Sequence, residues 1–176
     1  MSRIIVTPLS QLATQLSLHR PSHVVTLGSQ APAALPDGYD ALRLSLTFND
    51  IIELREGLVA PDETHVLRLV DFAMSWSMDA PLLIHCYAGI SRSTAAAYII
   101  ASALNPALDE SELAGFLRSL SPSATPNIRL ISLADKILAR NGRMVAAVRA
   151  VGRGVEAFEG EVFDLPVRTG SNASMG

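Results

Sequence analysis

A short apolar run in the middle of the chain constrains the fold more than any other feature. Residues 81–85 read PLLIH, and a loop containing Gly89 and a helix-forming segment at 92–104 follow them. A continuous apolar run of this length is typical of a strand buried on both faces at the centre of a parallel sheet. Because such strands alternate with helices in the first half of the chain, we expect an α/β fold with a central, mostly parallel sheet flanked by helices.

The other elements follow from hydrophobic periodicity and from turn residues. Strands are predicted at 4–6, which we place at an edge of the sheet, and at 23–27 and 41–46. One helix is predicted to begin at 12, with Ser10 as the cap, and to end near 19–21, and further helices are predicted at 62–76, 92–104, 109–120, 127–140 and 143–151. The chain is richer in glycine after residue 151. We therefore divide it into one domain at 1–151 and a C-terminal extension at 152–176, with disorder expected at 170–176.

Composition restricts the class of protein. The chain has 176 residues, 49% of them apolar, which suits one domain with its own hydrophobic core. Its 14 basic and 17 acidic residues give a formal net charge of −3, which argues against nucleic acid as a partner. We find neither a secretory signal nor an apolar segment long enough for a membrane, so a cytoplasmic location is expected. Composition does not indicate the oligomeric state.

The chain contains one cysteine, Cys86. A single cysteine excludes intramolecular disulfides and zinc sites built from several thiolates. The histidines have no partners at metal-ligand spacing, so we expect no metal and no cofactor. The thiol is therefore either a buried structural group or a reactive one. Its place after a predicted strand and before a predicted helix puts it at the positive end of the helix dipole, which favours the reactive thiolate.

The loop after Cys86 has the features of an anion-binding site. Five residues separate Cys86 from Arg92, and Gly89 lies in the middle of them. A loop of this length can curl so that its N–H groups converge on an anion, and glycine lets the backbone approach that anion closely. Arg92 adds a planar guanidinium that suits two oxygens of a phosphate. These residues predict an oxyanion cradle with a nucleophile at its base, which is what phosphate transfer requires.

This segment resembles a known family. His85-Cys86, Gly89 and Arg92-Ser93 match the His-Cys-x5-Arg-Ser/Thr motif of the cysteine-dependent protein tyrosine phosphatase superfamily, and the small domain is similar to its dual-specificity branch. The resemblance implies that the Cys86 thiolate forms a phosphocysteine and that Arg92 clamps the phosphate and stabilises the transition state. Ser93 would hydrogen-bond the thiolate, and His85 would orient the cysteine rather than act as a base. The resemblance assigns phosphate binding to the backbone N–H groups of Tyr87, Ala88, Gly89, Ile90, Ser91 and Arg92.

The resemblance also implies a general acid, an aspartate on a loop upstream of the nucleophile. Asp50, in the segment Phe48-Asn49-Asp50 after a predicted strand, is the first candidate. Asp62 is the second, although capping explains its place in the first turn of a predicted helix. Asn127 resembles the Pro-Asn found in related phosphatases, where it would support the active-site loop. A helix N-cap is the alternative role for Asn127.

The expected function is the hydrolysis of phosphomonoesters by a protein tyrosine or dual-specificity phosphatase. Its substrate would be a phosphorylated protein or a small phosphomonoester. Phosphoinositide phosphatases of the superfamily tend to carry basic residues in this loop, whereas residues 87–91 include no lysine. Phosphoinositides or inositol phosphates are therefore the second expectation. A catalytically weak pseudophosphatase that binds phosphopeptides, and a thiol-based sulfur or arsenate transfer enzyme, remain as alternatives.

Overall fold

The computed structural model describes residues 2–32, 34–36 and 39–167. Helices and strands alternate in the first half of the chain, and helices dominate the second half. The strands are β1 Arg3–Pro8, β2 His23–Gly28, β3 Leu42–Thr47, β4 Leu82–Cys86 and β5 Phe163–Pro166. The helices are α1 Leu12–His19, α2 Glu63–Met74, α3 Arg92–Leu104, α4 Glu110–Leu120, α5 Ile128–Ile137 and α6 Arg143–Val151.

The five strands form one sheet in the order β3-β2-β4-β1-β5. Parallel pairing joins β3 to β2, β2 to β4 and β4 to β1, while β5 runs antiparallel to β1. All five residues of β4 are buried, as the uninterrupted apolar run predicted. The expected central, mostly parallel sheet is confirmed. The register places Pro8 beside Cys86, at the carboxyl ends of both strands.

The core lies on both faces of the sheet. One face carries Ile4, Val25 and Ile84, which pack with apolar side chains of the helices in the second half of the chain. The other face carries Ile5, Val24 and Leu83, which pack with Leu16 of α1. Neighbouring residues of one strand thus serve opposite faces, as the pleat requires. Covering both faces with helices leaves the carboxyl ends of the parallel strands as the open edge where Cys86 lies.

Two predictions at the N-terminus are wrong. The strand predicted at 4–6 is not an edge strand, because β1 lies between β4 and β5. Ser10 does not cap α1: it belongs to a short 3-10 helix, Leu9–Gln11, and Gln11 occupies the cap position. The Ser10 hydroxyl instead donates to the carboxylate of Glu159, 2.9 Å away. A local pattern cannot show such a partner, because it lies near the other end of the chain.

Strand β5 lies in the segment assigned to a C-terminal extension. It pairs with β1 over four residues, and Phe163 and Leu165 point into the core with exposures of 6% and 0%. A strand of four residues that ends in proline is too short to show a period-two pattern. The disorder predicted at 170–176 lies outside the described residues. None of the helices in the described part of the chain has the length and apolar character needed to cross a membrane.

Candidate active site

Cys86 is the last residue of β4 and is 3% exposed. Its Sγ lies 3.2 Å from the hydroxyl oxygen of Ser93, in the first turn of α3. The Gly89 N–H donates to the same sulfur over 3.2 Å. The thiol thus faces the concave side of the loop 87–91 and the N-terminus of α3. Both neighbours can donate hydrogen bonds to a thiolate, which is stabilised by them.

The carbonyls of this loop are held on its outer side by backbone N–H donors from three distant segments. The pairs are Leu9 N–H to Tyr87 O at 3.1 Å, Gly160 N–H to Ala88 O at 2.8 Å, Thr125 N–H to Ile90 O at 2.9 Å, and Asn127 N–H to Ser91 O at 3.2 Å. In a trans peptide the N–H of the next residue points opposite to the carbonyl. The N–H groups after these four carbonyls are therefore turned to the inner side, where the Gly89 N–H meets Cys86 Sγ. The backbone geometry of the loop is therefore that of a cradle that could bind an anion through its N–H groups.

Position 89 requires glycine for two reasons, its backbone conformation and the short distance to β1. Its φ is +70°, in the left-handed region that residues with a Cβ rarely adopt. A Cβ on Gly89 would lie 2.9 Å from the backbone nitrogen of Pro8, closer than such atoms approach. The loop therefore rests directly on the end of β1, and a glycine at this point allows it.

Arg92 is the first residue of α3 and is 6% exposed. Its Nη1 donates to the Ser29 hydroxyl and to the Phe48 carbonyl, each over 3.0 Å. Its Nε is buried and has no hydrogen-bond partner within the described residues. A buried donor without a partner is costly unless a ligand satisfies it. An oxyanion in the cradle would satisfy it.

Asp50 lies in the loop after β3, with its side chain exposed. Its Oδ1 accepts two hydrogen bonds of 2.8 Å, from the Ser91 hydroxyl and from the Asn127 side-chain amide. Asn127 also caps α5, because its Oδ1 accepts from the N–H groups of Arg129 and Leu130. Asn127 therefore combines both proposed roles, because its side chain caps α5 while its backbone N–H donates to the Ser91 carbonyl of the loop, and its side-chain amide reaches Asp50 as well. Through it, the structure brings Asp50 to the end of the cradle.

Asp62 has a different role. Its Oδ1 accepts from the His65 N–H at 3.1 Å, and the His65 ring accepts in turn from the Asp62 N–H. This reciprocal pair is a capping box at the start of α2. The carboxylate is thus engaged at the helix terminus, as the capping alternative predicted.

A groove of about 590 Å³ begins at Asp50 and Ser91. Its apolar wall includes Ile52 and Val155, which are 53% and 68% exposed. Arg153 lines the same groove. The groove can hold the part of a ligand that extends away from the cradle.

Comparison with known proteins identifies the fold. No family model matches this chain, and no curated protein matches its sequence. Solved structures do match. The structure of DUSP15 matches at 17% sequence identity with a TM-score of 0.60, and the match covers 84% of this chain and 89% of that one. Human DUSP28 matches at 18% identity with a TM-score of 0.58, over 78% of this chain and 89% of that one. PTPMT1 in complex with PI(5)P matches at 15% identity with a TM-score of 0.54, over 84% of this chain and 94% of that one. The chain has the fold of the dual-specificity phosphatases.

In this dual-specificity fold, His85 lies behind the cradle and is 3% exposed. Its Nε2 is 2.8 Å from the Thr26 hydroxyl, which also accepts from Arg43 Nε at 2.9 Å. Burial, and secondarily the Arg43 charge, lower the pKa of His85 to about 4. His85 is therefore neutral near pH 7. A neutral imidazole held by Thr26 fits an orienting role for His85 rather than that of a base.

Several residues of the site have no signal in the sequence. Ser29 anchors Arg92, and Thr26 and Arg43 hold His85. Leu9, Thr125 and Gly160 donate to the carbonyls of the cradle through their backbone N–H groups, which carry no side-chain signature. Their positions depend on how the dual-specificity fold brings the ends of β1, α4 and α6 to the cradle. Only an alignment of related sequences or a structure could have identified them.

Proposed function

We propose that this protein hydrolyses phosphomonoesters through a phosphocysteine intermediate at Cys86. One observation carries the proposal: the Cys86 thiol and the buried Arg92 Nε, which has no hydrogen-bond partner among the described residues, lie at the two ends of a loop that has four of its carbonyls held outward. Such a site has donors for a tetrahedral oxyanion and a nucleophile beneath it. The dual-specificity fold supports the same activity.

The reaction has two displacements. In the first, the Cys86 thiolate attacks phosphorus, an S–P bond forms, and the bond from phosphorus to the leaving oxygen breaks while that oxygen takes a proton from Asp50. In the second, water attacks phosphorus and gives a proton to Asp50. The S–P bond then breaks, and the thiolate and inorganic phosphate are released. Ser93, 3.2 Å from Sγ, would donate a hydrogen bond to the departing thiolate.

The hydrogen bonds of Asp50 indicate which of its oxygens would carry the proton. Oδ1 accepts from both Ser91 and Asn127, and a protonated oxygen is a poorer acceptor. The proton would therefore reside on Oδ2. Ser91 and Asn127 would hold the carboxyl group through Oδ1 and leave Oδ2 to protonate the leaving group.

We propose phosphotyrosyl or other phosphorylated protein side chains as the first substrate class. The side chains of residues 87–91 carry no positive charge, so the cradle offers cations for one phosphate only. The groove beside Asp50 would take the residues around the phosphorylated side chain. Phosphoinositides are the second class, and the structure of PTPMT1 with PI(5)P is the observation that favours them.

The test is hydrolysis of a small aryl phosphate by the wild type and by Cys86→Ser. We expect turnover in the wild type and its loss in the variant, which should still bind tungstate, a tetrahedral oxyanion. Rapid quenching of the wild type with radiolabelled substrate should trap phosphate on Cys86. A wild type that binds tungstate and phosphopeptide but never turns over would instead indicate a pseudophosphatase.

Substrate class is tested by ranking kcat/KM over phosphotyrosyl peptides, phosphoseryl peptides and phosphoinositides in vesicles. We expect the phosphotyrosyl peptides to rank first. A higher rank for the phosphoinositides would reverse the order of the two proposed classes while leaving the mechanism intact.

A further inference from the structure

Residues 152–162, which we call the strap, connect α6 to β5 without forming a helix or a strand. The strap crosses the outer side of the candidate active site. The Gly154 N–H donates to the Thr125 hydroxyl at 3.1 Å, and the Val155 N–H donates to the Pro122 carbonyl at 2.9 Å. The strap is thus attached to the segment after α4 before it reaches the cradle.

Gly160 is the point where the strap touches the cradle. It is buried, and its N–H donates to the Ala88 carbonyl at 2.8 Å. A Cβ on Gly160 would lie 2.7 Å from the Gly89 carbonyl oxygen and 3.3 Å from its carbonyl carbon. Both of these atoms belong to the backbone, so they cannot move aside as a flexible side chain could. Only glycine allows the two backbones to lie this close.

This contact determines the direction of one peptide group in the cradle. The Ala88 carbonyl is held outward by the Gly160 N–H. The peptide between Ala88 and Gly89 is trans, so its N–H points inward, where it donates to Cys86 Sγ at 3.2 Å. If the Ala88 carbonyl turned inward, it would place a partial negative charge beside the thiolate and the phosphate. The strap opposes that rotation.

A second contact ties the strap to the segment that holds the neighbouring carbonyl of the cradle. The Glu159 carboxylate accepts from the Ser10 hydroxyl, in the short helix that begins with Leu9. The Leu9 N–H holds the Tyr87 carbonyl, which is adjacent to Ala88 in the loop. The donors for two successive carbonyls of the cradle are therefore linked by the Ser10–Glu159 hydrogen bond.

We propose that the strap is a part of the phosphate site and that Gly160 is a positioning residue for it. Gly160 touches neither the nucleophile nor the substrate, and acts through the Ala88–Gly89 peptide. This inference rests on the proposed function, because it assigns the strap a role in binding and turning over a phosphate ester.

The first test compares Gly160→Ala with Gly115→Ala. Gly115 lies in α4, and nothing would contact a Cβ there within 4 Å, so this variant controls for the loss of a glycine. We expect Gly160→Ala to lower kcat for an aryl phosphate and to weaken tungstate binding by about tenfold to a hundredfold each, as a small misplacement of catalytic groups does. Gly115→Ala should leave both values unchanged. A merely structural role would lower the Tm of Gly160→Ala and leave kcat and tungstate affinity of the folded protein at wild-type values, which would overturn the proposal.

The second test uses the wild-type chain, so it does not depend on the variant folding. Amide hydrogen exchange of Gly160 is measured with and without saturating tungstate. If the strap supports the cradle, bound oxyanion must stabilise the strap in return, and the Gly160 amide should exchange at least fivefold more slowly. The Gly115 amide is the reference. Unchanged exchange at Gly160 with tungstate bound would refute the positioning role.

The outcomes separate this inference from the proposed function. A wild type that hydrolyses phosphate esters, with no effect of tungstate on Gly160, retains the function and refutes the role of the strap. A wild type that shows tungstate-dependent protection of Gly160 without turnover supports the strap as part of an oxyanion site and refutes the hydrolase.

Discussion

The loop that follows Cys86 is bonded from outside at four backbone carbonyls, whereas Asp50 is exposed and attached to the rest of the site through side chains. Asp50 is held by Ser91 and Asn127, and its loop is closed by the Asn49 N–H bond to the Val59 carbonyl at 2.7 Å. Beyond Asp50, Ile52 and Leu54 are 53% and 79% exposed. The half of the site proposed to bind phosphate is thus preorganised by the fold. The half proposed to supply the proton is anchored to that first half.

This difference predicts two kinds of behaviour. Damage to the cradle should reduce turnover of every phosphate ester, because all of them share the phosphoryl group. Damage to the Asp50 side should depend on the leaving group, because a proton matters only where the departing oxygen is basic. The predictions below test that distinction, from the largest expected effect to the smallest.

Arg92→Lys should have the largest effect. Lysine keeps one positive charge but cannot hold Ser29 and Phe48 through Nη1 while offering Nε to an oxyanion. We expect kcat to fall by about 10²–10³ for good and poor leaving groups alike, as for other losses of transition-state donors. Arg149→Lys, at an exposed position in α6, is the control and should retain full activity. A loss confined to poor leaving groups would contradict the assignment of Arg92 to the shared phosphoryl group.

Asp50→Asn should have the next largest effect, and only on some substrates. Asparagine keeps an oxygen that accepts from Ser91 and Asn127, so the loop stays attached, but it has no acidic proton. We expect kcat for alkyl phosphates to fall by about a hundredfold, little change for a nitrophenyl ester, and loss of the alkaline limb of the pH profile. Asp62→Asn, which preserves the cap of α2, is the control. If Asp62→Asn shows this pattern and Asp50→Asn does not, the general acid is Asp62.

Asn127→Asp separates the two roles of one side chain. The carboxylate still caps α5, so Tm should change little, but it cannot donate to Asp50 and repels its charge. We expect about a tenfold fall in kcat for alkyl phosphates only, measured beside Asn127→Ala. The alanine variant should show the same kinetic loss and, in addition, about 1 kcal/mol less stability, because the cap is gone. Equal losses for aryl and alkyl esters would place Asn127 with the cradle instead.

The last prediction concerns pH and His85, and its effect is on stability rather than on turnover. Its folded pKa of about 4 lies below the ordinary value of 6.5, so folding favours the neutral ring. This contribution is fully present above pH 6.5 and is lost as the pH falls towards 4, which predicts about 3 kcal/mol lower stability at the acid end. Urea unfolding from pH 7 to pH 4 measures it. His85→Gln should lose much of the dependence, and His19→Gln should keep it; identical slopes in both would exclude His85 as the source.

The sequence alone was sufficient for the parts whose determinants are local. The bounds of α3 and α6 were predicted as observed, and β4 differs only at its ends. The motif from Cys86 to Arg92 lies within one strand–loop–helix unit. Residues that are close in the sequence are therefore also close in the fold. Asp50 became the first candidate for the general acid because the family resemblance implies an aspartate on an upstream loop. The structure places it at the same edge as Cys86, because β3 and β4 belong to one parallel sheet whose carboxyl ends meet there.

Tertiary structure decided the features that depend on pairs far apart in the chain. Strand β5 is too short for a pattern of its own and is a strand only because β1 offers it an edge. The partners of His85 come from β2 and β3, and the donor to Ala88 comes from the strap. Backbone N–H groups carry no side-chain signature, so nothing in the letters at 9, 125 or 160 shows that they support the loop after Cys86. The sequence determined the motif from His85 to Ser93, and the fold determined what holds its residues in place, because long-range hydrogen bonds form only once the sheet has brought their partners together.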